Sequence, residues 1–162
     1  MKLYLRQKKS WFNDQNFHIE DEDGKRVYDL KFSALIAKKI KIMDADKKQV
    51  AEIRQELKSL MPRYSVYIGD EKLLEVKKDL KLLGVRYNLD GLEWEMKNRL
   101  MLHDYEVYQG SRRVLEVQPI RRFSRLSCEI TVDDPADMLK AAALVVAIEC
   151  GIEEIHVDKK DD

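Results

Sequence analysis

The sequence predicts a mainly β protein in which about twelve antiparallel strands close into a barrel around one hydrophobic C-terminal helix. Three observations predict this class. Short runs of alternating apolar and polar residues recur from about residue 3 to 132, and a period of two is typical of strands with one buried face. Segments that contain two such runs occur twice in the sequence with matching residues. One segment, residues 141–148, has no polar side chain, and a sheet closed around it has no exposed edges.

The length and the net charge limit the number of domains and the kinds of binding partner that the protein can have. The chain has 162 residues, of which 30 are Lys or Arg and 30 are Asp or Glu, so the formal net charge is zero. This balance excludes a protein built as a whole for nucleic acid or an anionic membrane, and any such binding needs a local patch. The length predicts a single domain over residues 1–157, followed by a charged tail at 158–162.

The sequence predicts a cytoplasmic protein, with peripheral contact to the inner membrane surface as one option. No stretch approaches the roughly 20 apolar residues that a membrane-spanning helix needs. The first residues lack the apolar core of a secretory signal. Cys128 and Cys150 are predicted to be free, buried thiols, and one disulfide between them is the alternative.

The strands are predicted to form hairpins because the sequence repeats itself. Residues 64–76 (YSVYIGDEKLLEV) match residues 105–117 (YEVYQGSRRVLEV) at a constant offset of 41. Residues 18–30 and 41–53 share the same pattern at an offset of 23. In each unit two alternating runs flank a turn, which is typical of a β-hairpin.

The positions of the glycines predict the turn types. Gly69 and Gly110 each begin a pair that suits a two-residue type II′ turn, in which glycine supplies the positive φ. The Asp-Gly pair at 90–91 predicts a type I′ turn between two strands. Gly24 and residues 44–48 are expected in slightly longer turns.

The pattern changes after the last strand, and a helix is predicted over about residues 135–150. Asp134 can cap its first turn, and Pro135 suits the first helical position. Gly151 is the expected end of the helix. Because residues 141–148 have no polar face, the helix is expected to be buried on all sides, inside the barrel.

These hairpins and this helix resemble a known family. The segments DEDGKRVYDL, DADKKQVAEI and YSVYIGDEKLLEV, the tripeptide WEM and the apolar helix resemble the LURP-one-related family. That family belongs to the tubby C-terminal-like superfamily and has the phospholipid scramblases as distant cousins. The resemblance covers about residues 3–155 and implies a twelve-stranded barrel threaded by a central hydrophobic helix.

The resemblance also implies functions at membranes. Tubby members bind phosphoinositides, and scramblase-like members are membrane-associated. In tubby proteins a basic-x-basic pair before a strand of the second repeat contacts the lipid phosphates. The matching stretch here, residues 29–33 (DLKFS), has one basic residue, Lys31. Specific phosphoinositide binding is therefore not expected to carry over.

A cluster of arginines is the candidate anion-binding site. Five arginines fall within fourteen residues that hold a single acidic residue: Arg112, Arg113, Arg121, Arg122 and Arg125. The planar guanidinium suits phosphate and carboxylate groups. Two alternatives stay open: a solvated rim whose arginines pair with nearby acids, and a contact with another protein.

No motif predicts catalysis, a metal or a cofactor. The acidic run at residues 20–23 lacks the register of an EF-hand loop and is expected to be a charged hairpin turn. His18, His103 and His156 have no partner at metal-ligand spacing. No nucleophile motif or phosphate-binding glycine loop occurs. We therefore predict a protein that is not an enzyme, with no metal and no cofactor.

Two hypotheses of function follow from the sequence. The first is a binding module for an anionic ligand, in particular an anionic membrane surface or phospholipid headgroup, that acts through the arginine cluster. The second is a protein-interaction or scaffold domain without a small-molecule ligand. Nucleic acid is not an expected partner.

Overall fold

The architecture is given by a computed structural model that describes residues 1–7, 17–57, 60–79, 86–98, 103–122 and 125–152. At positions 79, 86, 98, 121, 122, 125 and 126 only the backbone is described. The strands are β1 (Lys2–Gln7), β2 (Phe17–Glu20), β3 (Arg26–Ser33), β4 (Lys39–Met43), β5 (Gln49–Gln55), β6 (Arg63–Ile68), β7 (Glu71–Asp79), β8 (Arg86–Asp90), β9 (Glu95–Asn98), β10 (Tyr105–Gln109), β11 (Arg112–Arg122) and β12 (Arg125–Val132).

All twelve strands lie in one antiparallel sheet that curls into a nearly closed barrel, which confirms the predicted fold class. The strands from β1 to β8 pair in sequence order, as do those from β9 to β12, and β1 pairs with β12. The sheet therefore begins at β8 and ends at β9. These two edges meet at a seam, where the described residues form no hydrogen-bonded ladder.

The direction of the strands sorts their connections onto two ends of the barrel. Because neighbouring strands are antiparallel, all connections that follow even-numbered strands share one end. These are short, and we call this end the turn end: residues 21–25, 44–48, 69–70, 91–94 and 110–111. The opposite end, which we call the loop end, carries the connections at residues 34–38 and 56–62.

Both predicted repeats are present in the structure. Each repeat pair has a β-bulge at the same position, namely at Ile19/Glu20 and Ile42/Met43 in one pair and at Val66/Tyr67 and Val107/Tyr108 in the other. A bulge bends a strand and increases its twist. A bulge beside each of four turns therefore curls the sheet in the same sense, which helps it to close.

The two longer turns are alike in detail. The Asp21 carboxylate accepts hydrogen bonds from the N–H groups of residues 23 and 25. The Asp44 carboxylate does the same for residues 46 and 48. The acidic run at residues 20–23 thus forms a hairpin turn, as predicted, in which Asp21 satisfies backbone donors. Gly24 has φ +76° in the first turn, and Lys47 has φ +62° at the matching position of the second.

The predictions of two-residue turns at glycines are confirmed at two positions and wrong at a third. Gly69 and Gly110 have φ values of +58° and +60°, as a type II′ turn requires. The predicted type I′ turn at 90–91 does not form, because the strands end at Asp90 and resume at Glu95. Gly91 instead lies against the backbone of Leu73, where a Cβ would come within 2.5 Å of the Leu73 carbonyl oxygen.

The C-terminal helix is buried inside the barrel, as predicted. A short 3₁₀ turn (Pro135–Asp137) leads into an α-helix, α1 (Met138–Val146), and a π-helical segment follows (Ala147–Ile152). The Ala136 N–H donates a hydrogen bond to the Asp134 carboxylate, which confirms the cap. Every residue from 141 to 148 has an exposure of 0%. No helix in the described part of the chain, this one included, has the length and hydropathy needed to span a bilayer.

The predicted end of the helix at Gly151 is wrong. The helical segment includes Gly151 and reaches Ile152. A Cβ at Gly151 would lie 3.2 Å from the ring of Tyr64. The glycine therefore allows the helix to approach the wall of the barrel and is not a C-terminal cap.

Candidate functional site

The outer face of β3 and β4 carries three exposed lysines that have no partner among the described residues. Lys31, Lys39 and Lys41 point away from the core, whereas their neighbours Ile40 and Ile42 are fully buried. Within the described part of the chain, none of the three ammonium groups has an ion pair or a hydrogen bond. We call β3, β4 and the connection between them the basic hairpin.

Two of these lysines repel each other. The strand register places Lys31 directly opposite Lys41, and like charges in that position destabilise a sheet. The residue on the other side of Lys41 is Glu52, but its carboxylate pairs with the guanidinium of Arg54 at 3.0 Å. Lys41 therefore has no ion pair among the described residues, although Glu52 is its neighbour on β5.

A cleft of about 420 Å³ lies beside these lysines. Its basic lining residues are Arg26, Lys31 and Lys47, and its apolar floor includes Met43. His18 also lines the cleft. The His18 Nε2 bonds the Glu20 carboxylate at 2.7 Å, while its Nδ1 is buried without a hydrogen-bond partner among the described residues. Asp29 lines the same cleft and pairs with Arg26 at 3.0 Å, so Lys31 and Lys47 are the basic lining residues without an ion pair among the described residues.

Large apolar side chains are exposed at the loop end. Leu35 and Ile36 are 98% and 88% exposed, and Leu57 and Leu60 are 57% and 104% exposed. The only other large hydrophobic residue exposed in the described chain is Met1. Leu35 and Ile36 form the tip of the basic hairpin, so the apolar tip and the lysine face belong to one element.

Hydrogen bonds hold the two apolar connections next to each other. The Gln55 N–H donates to the Lys38 carbonyl at 2.9 Å, and the Lys38 N–H donates to the Gln55 side-chain oxygen at 3.0 Å. The Glu56 N–H donates to the Arg63 carbonyl at 2.9 Å. These bonds fix the bases of both connections while their apolar side chains protrude.

The arginine cluster is divided between the two ends of β11. Arg112 and Arg113 begin β11 at the turn end, and both are paired there. Arg112 contacts Asp137 at 3.2 Å. Arg113 makes a two-pronged contact to Asp133, with distances of 2.8 and 2.9 Å. The hydrogen bond and positive charge of Arg113 lower the pKa of the Asp133 carboxyl, so this part of the cluster fits the solvated, paired rim.

Arg121, Arg122 and Arg125 belong to the other end of the same hairpin. The register places Arg122 opposite Arg125 at the loop end of β11 and β12. Their side chains lie outside the described part of the structure. The anion-binding role of the five arginines stays a prediction, but the cluster does not form a single surface.

A buried acidic residue near the end of the helix was missed by the sequence analysis. Glu149 is fully buried in the π-helical segment, and its carboxylate contacts the His103 Nδ1. The Tyr105 hydroxyl donates a hydrogen bond to it at 3.0 Å. Burial and the nearby Glu149 carboxylate raise the pKa of Tyr105 well above its usual value. These partners satisfy the carboxylate inside the core.

The same region contains the two cysteines. Cys128 and Cys150 are free and buried, as predicted. Burial and the nearby Glu149 raise the pKa of both thiols, which makes reactive thiolates scarce near neutral pH. Across the described ranges, no group of three or more His, Cys, Asp or Glu side chains could hold a metal ion. His156 lies outside the described residues.

Comparisons with known proteins agree with the fold. The family model described as LURP-one-related matches residues 1–149. The uncharacterized protein YxjI of Bacillus subtilis (strain 168) is 30% identical over 112 residues, which cover 68% of each chain. A crystal structure of a protein from Arabidopsis thaliana superposes with a TM-score of 0.58 and 17% identity, over 91% of this chain and 90% of that one. At that identity the structural match supports the fold alone.

Proposed function

We propose that this chain, which belongs to the LURP-one-related family, is a non-enzymatic module that associates peripherally with anionic phospholipid surfaces. The observation that carries the proposal is the unpaired lysine face of the basic hairpin. Lys31 and Lys41 lie opposite each other without a carboxylate between them. Such an arrangement costs stability in the free protein, and an anionic partner relieves it.

The surroundings of the lysines support a broad anionic surface as the partner. Lys31 also lines the cleft beside the hairpin, where Arg26 is already paired with Asp29 at 3.0 Å. The positive charge without an ion pair is therefore spread over the strand face and is not gathered in one pocket. Each lysine near an anionic membrane contributes roughly 1 kcal/mol at low salt. A face of three lysines therefore contributes roughly 3 kcal/mol, which makes the association reversible and leaves room for a second contribution.

Vesicle cosedimentation tests this proposal. The parent chain should bind phosphatidylcholine vesicles that contain roughly one third phosphatidylserine more tightly than vesicles of phosphatidylcholine alone. The triple variant Lys31→Gln/Lys39→Gln/Lys41→Gln should lose at least about tenfold in affinity, because its local positive charge is removed. The matched control is Lys72→Gln/Lys77→Gln/Lys97→Gln, which has the same net charge but is altered on β7 and β9.

The control decides between a specific face and a general effect of charge. If it retains parental binding while the β3–β4 variant loses it, the basic hairpin is the membrane-facing surface. Equal losses in both variants contradict the assignment of the site. If the parent chain fails to bind anionic vesicles even at low salt, the proposed function is wrong.

A second candidate function, a protein-interaction domain, is favoured by the seam. A cleft of about 500 Å³ lies between β8 and β9, with Trp94 and Met96 among its lining residues. Open strand edges can accept an extended peptide as an added strand. Amide exchange of residues 86–97 that slows in the presence of a partner peptide would support this function, and unchanged exchange would argue against it.

A further inference from the structure

The apolar tips at the loop end point to insertion into the bilayer as well as attraction to its surface. We infer that Leu35 and Ile36, together with Leu57 and Leu60, enter the interfacial region of an anionic phospholipid bilayer. The loop end of the barrel then faces the membrane and the turn end faces away from it. This inference rests on the proposed function and adds to it an orientation and an apolar anchor.

Exposure and position carry the inference. Leu35, Ile36 and Leu60 each leave 88% or more of their surface in water, and four of the five large exposed hydrophobic residues of the described chain share this end. Isolated exposed apolar residues are ordinary on protein surfaces, whereas a group of them on one surface marks an interaction site. The hydrogen bonds between Lys38 and Gln55 join the bases of the two connections, so their apolar side chains lie on the same surface.

Charge complementarity indicates a lipid surface as the occupant. Lys39 lies three residues after the apolar tip, and Lys31 and Lys41, which have no ion pair among the described residues, lie further along the same hairpin. An apolar tip surrounded by lysines fits the boundary between acyl chains and anionic headgroups. The side chains of Leu35, Ile36 and Leu60 protrude almost completely, which suits a fluid bilayer. A protein partner would need to supply closely fitting pockets.

The apolar and electrostatic contributions respond differently to salt, so they can be separated. Ionic attraction is screened as salt rises, whereas burial of apolar surface is not. The double variant Leu35→Ser/Ile36→Ser should lose roughly tenfold or more of its vesicle affinity, and this loss should persist at high salt. The loss of vesicle affinity in the variant Lys31→Gln/Lys39→Gln/Lys41→Gln should be largest at low salt. Both apolar residues are exposed, so the double variant should fold like the parent.

Fluorescence of a labelled residue tests the insertion directly. Ile36→Cys, carrying an environment-sensitive nitrobenzoxadiazole group, should shift to the blue on anionic vesicles and be quenched by lipids brominated in their acyl chains. The control is Ser111→Cys, which places the same label in an exposed turn at the opposite end. The parent chain, treated with the same reagent, reports any labelling of the buried Cys128 and Cys150.

The outcomes distinguish this inference from the proposed function. If the chain binds anionic vesicles but the label at residue 36 stays in water, insertion is wrong and surface attraction remains. A blue shift at residue 111 alone contradicts the orientation. If light scattering finds that the parent is a dimer and Leu35→Ser/Ile36→Ser is a monomer, the apolar tips are a self-association interface, and the inference is overturned.

Discussion

Lys47 adopts a backbone conformation that usually needs glycine, and glycine does occupy the equivalent position of the other repeat. It has φ +62°, and Gly24 has φ +76° at the matching position of the equivalent turn. Side chains other than glycine are strained in the left-handed region. The two turns otherwise share the same hydrogen bonds, which backbone N–H groups donate to a leading aspartate. Lys47 therefore keeps a positive charge beside the cleft at a cost in stability.

The cost at Lys47 can be measured by exchanging the two residue types. Lys47→Gly should raise the free energy of unfolding by about 0.5–1 kcal/mol, because glycine has no Cβ to strain the turn. Gly24→Lys should lower it by a similar amount. Urea denaturation measures both variants. Unchanged stability in the two variants would show that the turns tolerate either residue equally.

Whether the sequence could predict a side chain's role depends on how far away its partners are. The positive φ of Gly69 and Gly110 was predictable, because a type II′ turn involves adjacent residues alone. The lysine face was not, because Lys31 and Lys41 are ten positions apart and meet only through the strand register. The role of Glu149 was not predictable either, because its partners His103 and Tyr105 are more than forty residues away in the sequence.

At the level of elements, the hairpin is the unit that the sequence predicts well. Alternation, glycine position and the two repeat offsets predicted nearly all strands and most turns. The exception is the connection between β8 and β9, where the local Asp-Gly signal predicts a tight turn. Tertiary packing overrides that signal, because Gly91 lies against the backbone of Leu73. The resulting seam was not visible in the sequence.

The start of β11 is joined to the entry of the helix by an ion pair, and its contribution should depend on pH. Arg113 lowers the folded-state pKa of Asp133. The stabilisation is therefore present above the unfolded pKa of aspartate, about 3.9, and is lost as the pH falls through the lower folded value. Because the side chains are 33% and 34% exposed, solvent screening limits the contribution to about 1 kcal/mol.

Arg113→Gln tests this link between elements. Near neutral pH the variant should be less stable than the parent by up to about 1 kcal/mol. Below about pH 3 the difference should shrink, because the carboxyl becomes protonated in both states. Thermal denaturation across this range measures the effect. A difference that does not change with pH would mean that Arg113 stabilises the strand through packing alone.

At the level of the whole molecule, one buried helix organises the barrel. Small and branched apolar residues fill its interior, and Gly151 lets the helix approach the ring of Tyr64. The interruption in this apolar core is Glu149, which is held by His103 and Tyr105. Tyr105 is the repeat equivalent of Tyr64 at the offset of 41, so equivalent tyrosines of the two hairpins contact the same helical segment.

The buried carboxylate should matter for the stability of the whole fold. Glu149→Ala should lower the free energy of unfolding by about 3 kcal/mol or more, because it leaves His103 and the Tyr105 hydroxyl buried without their partner. Glu95→Ala, at an exposed position, is the control and should change little. A loss below about 1 kcal/mol at Glu149 would show that water or other groups replace the carboxylate without cost.

The central claim is that the basic hairpin at the loop end meets an anionic membrane surface, and amide hydrogen exchange tests it most directly. Exchange in the parent chain is compared with and without phosphatidylserine-containing vesicles. We predict slower exchange at residues 34–41 and in the connection at residues 56–62, with no change in the turns at 69–70 and 110–111. Protection confined to the turn end or to the β8–β9 seam, or no protection at residues 34–41 while the protein is bound, would contradict the claim.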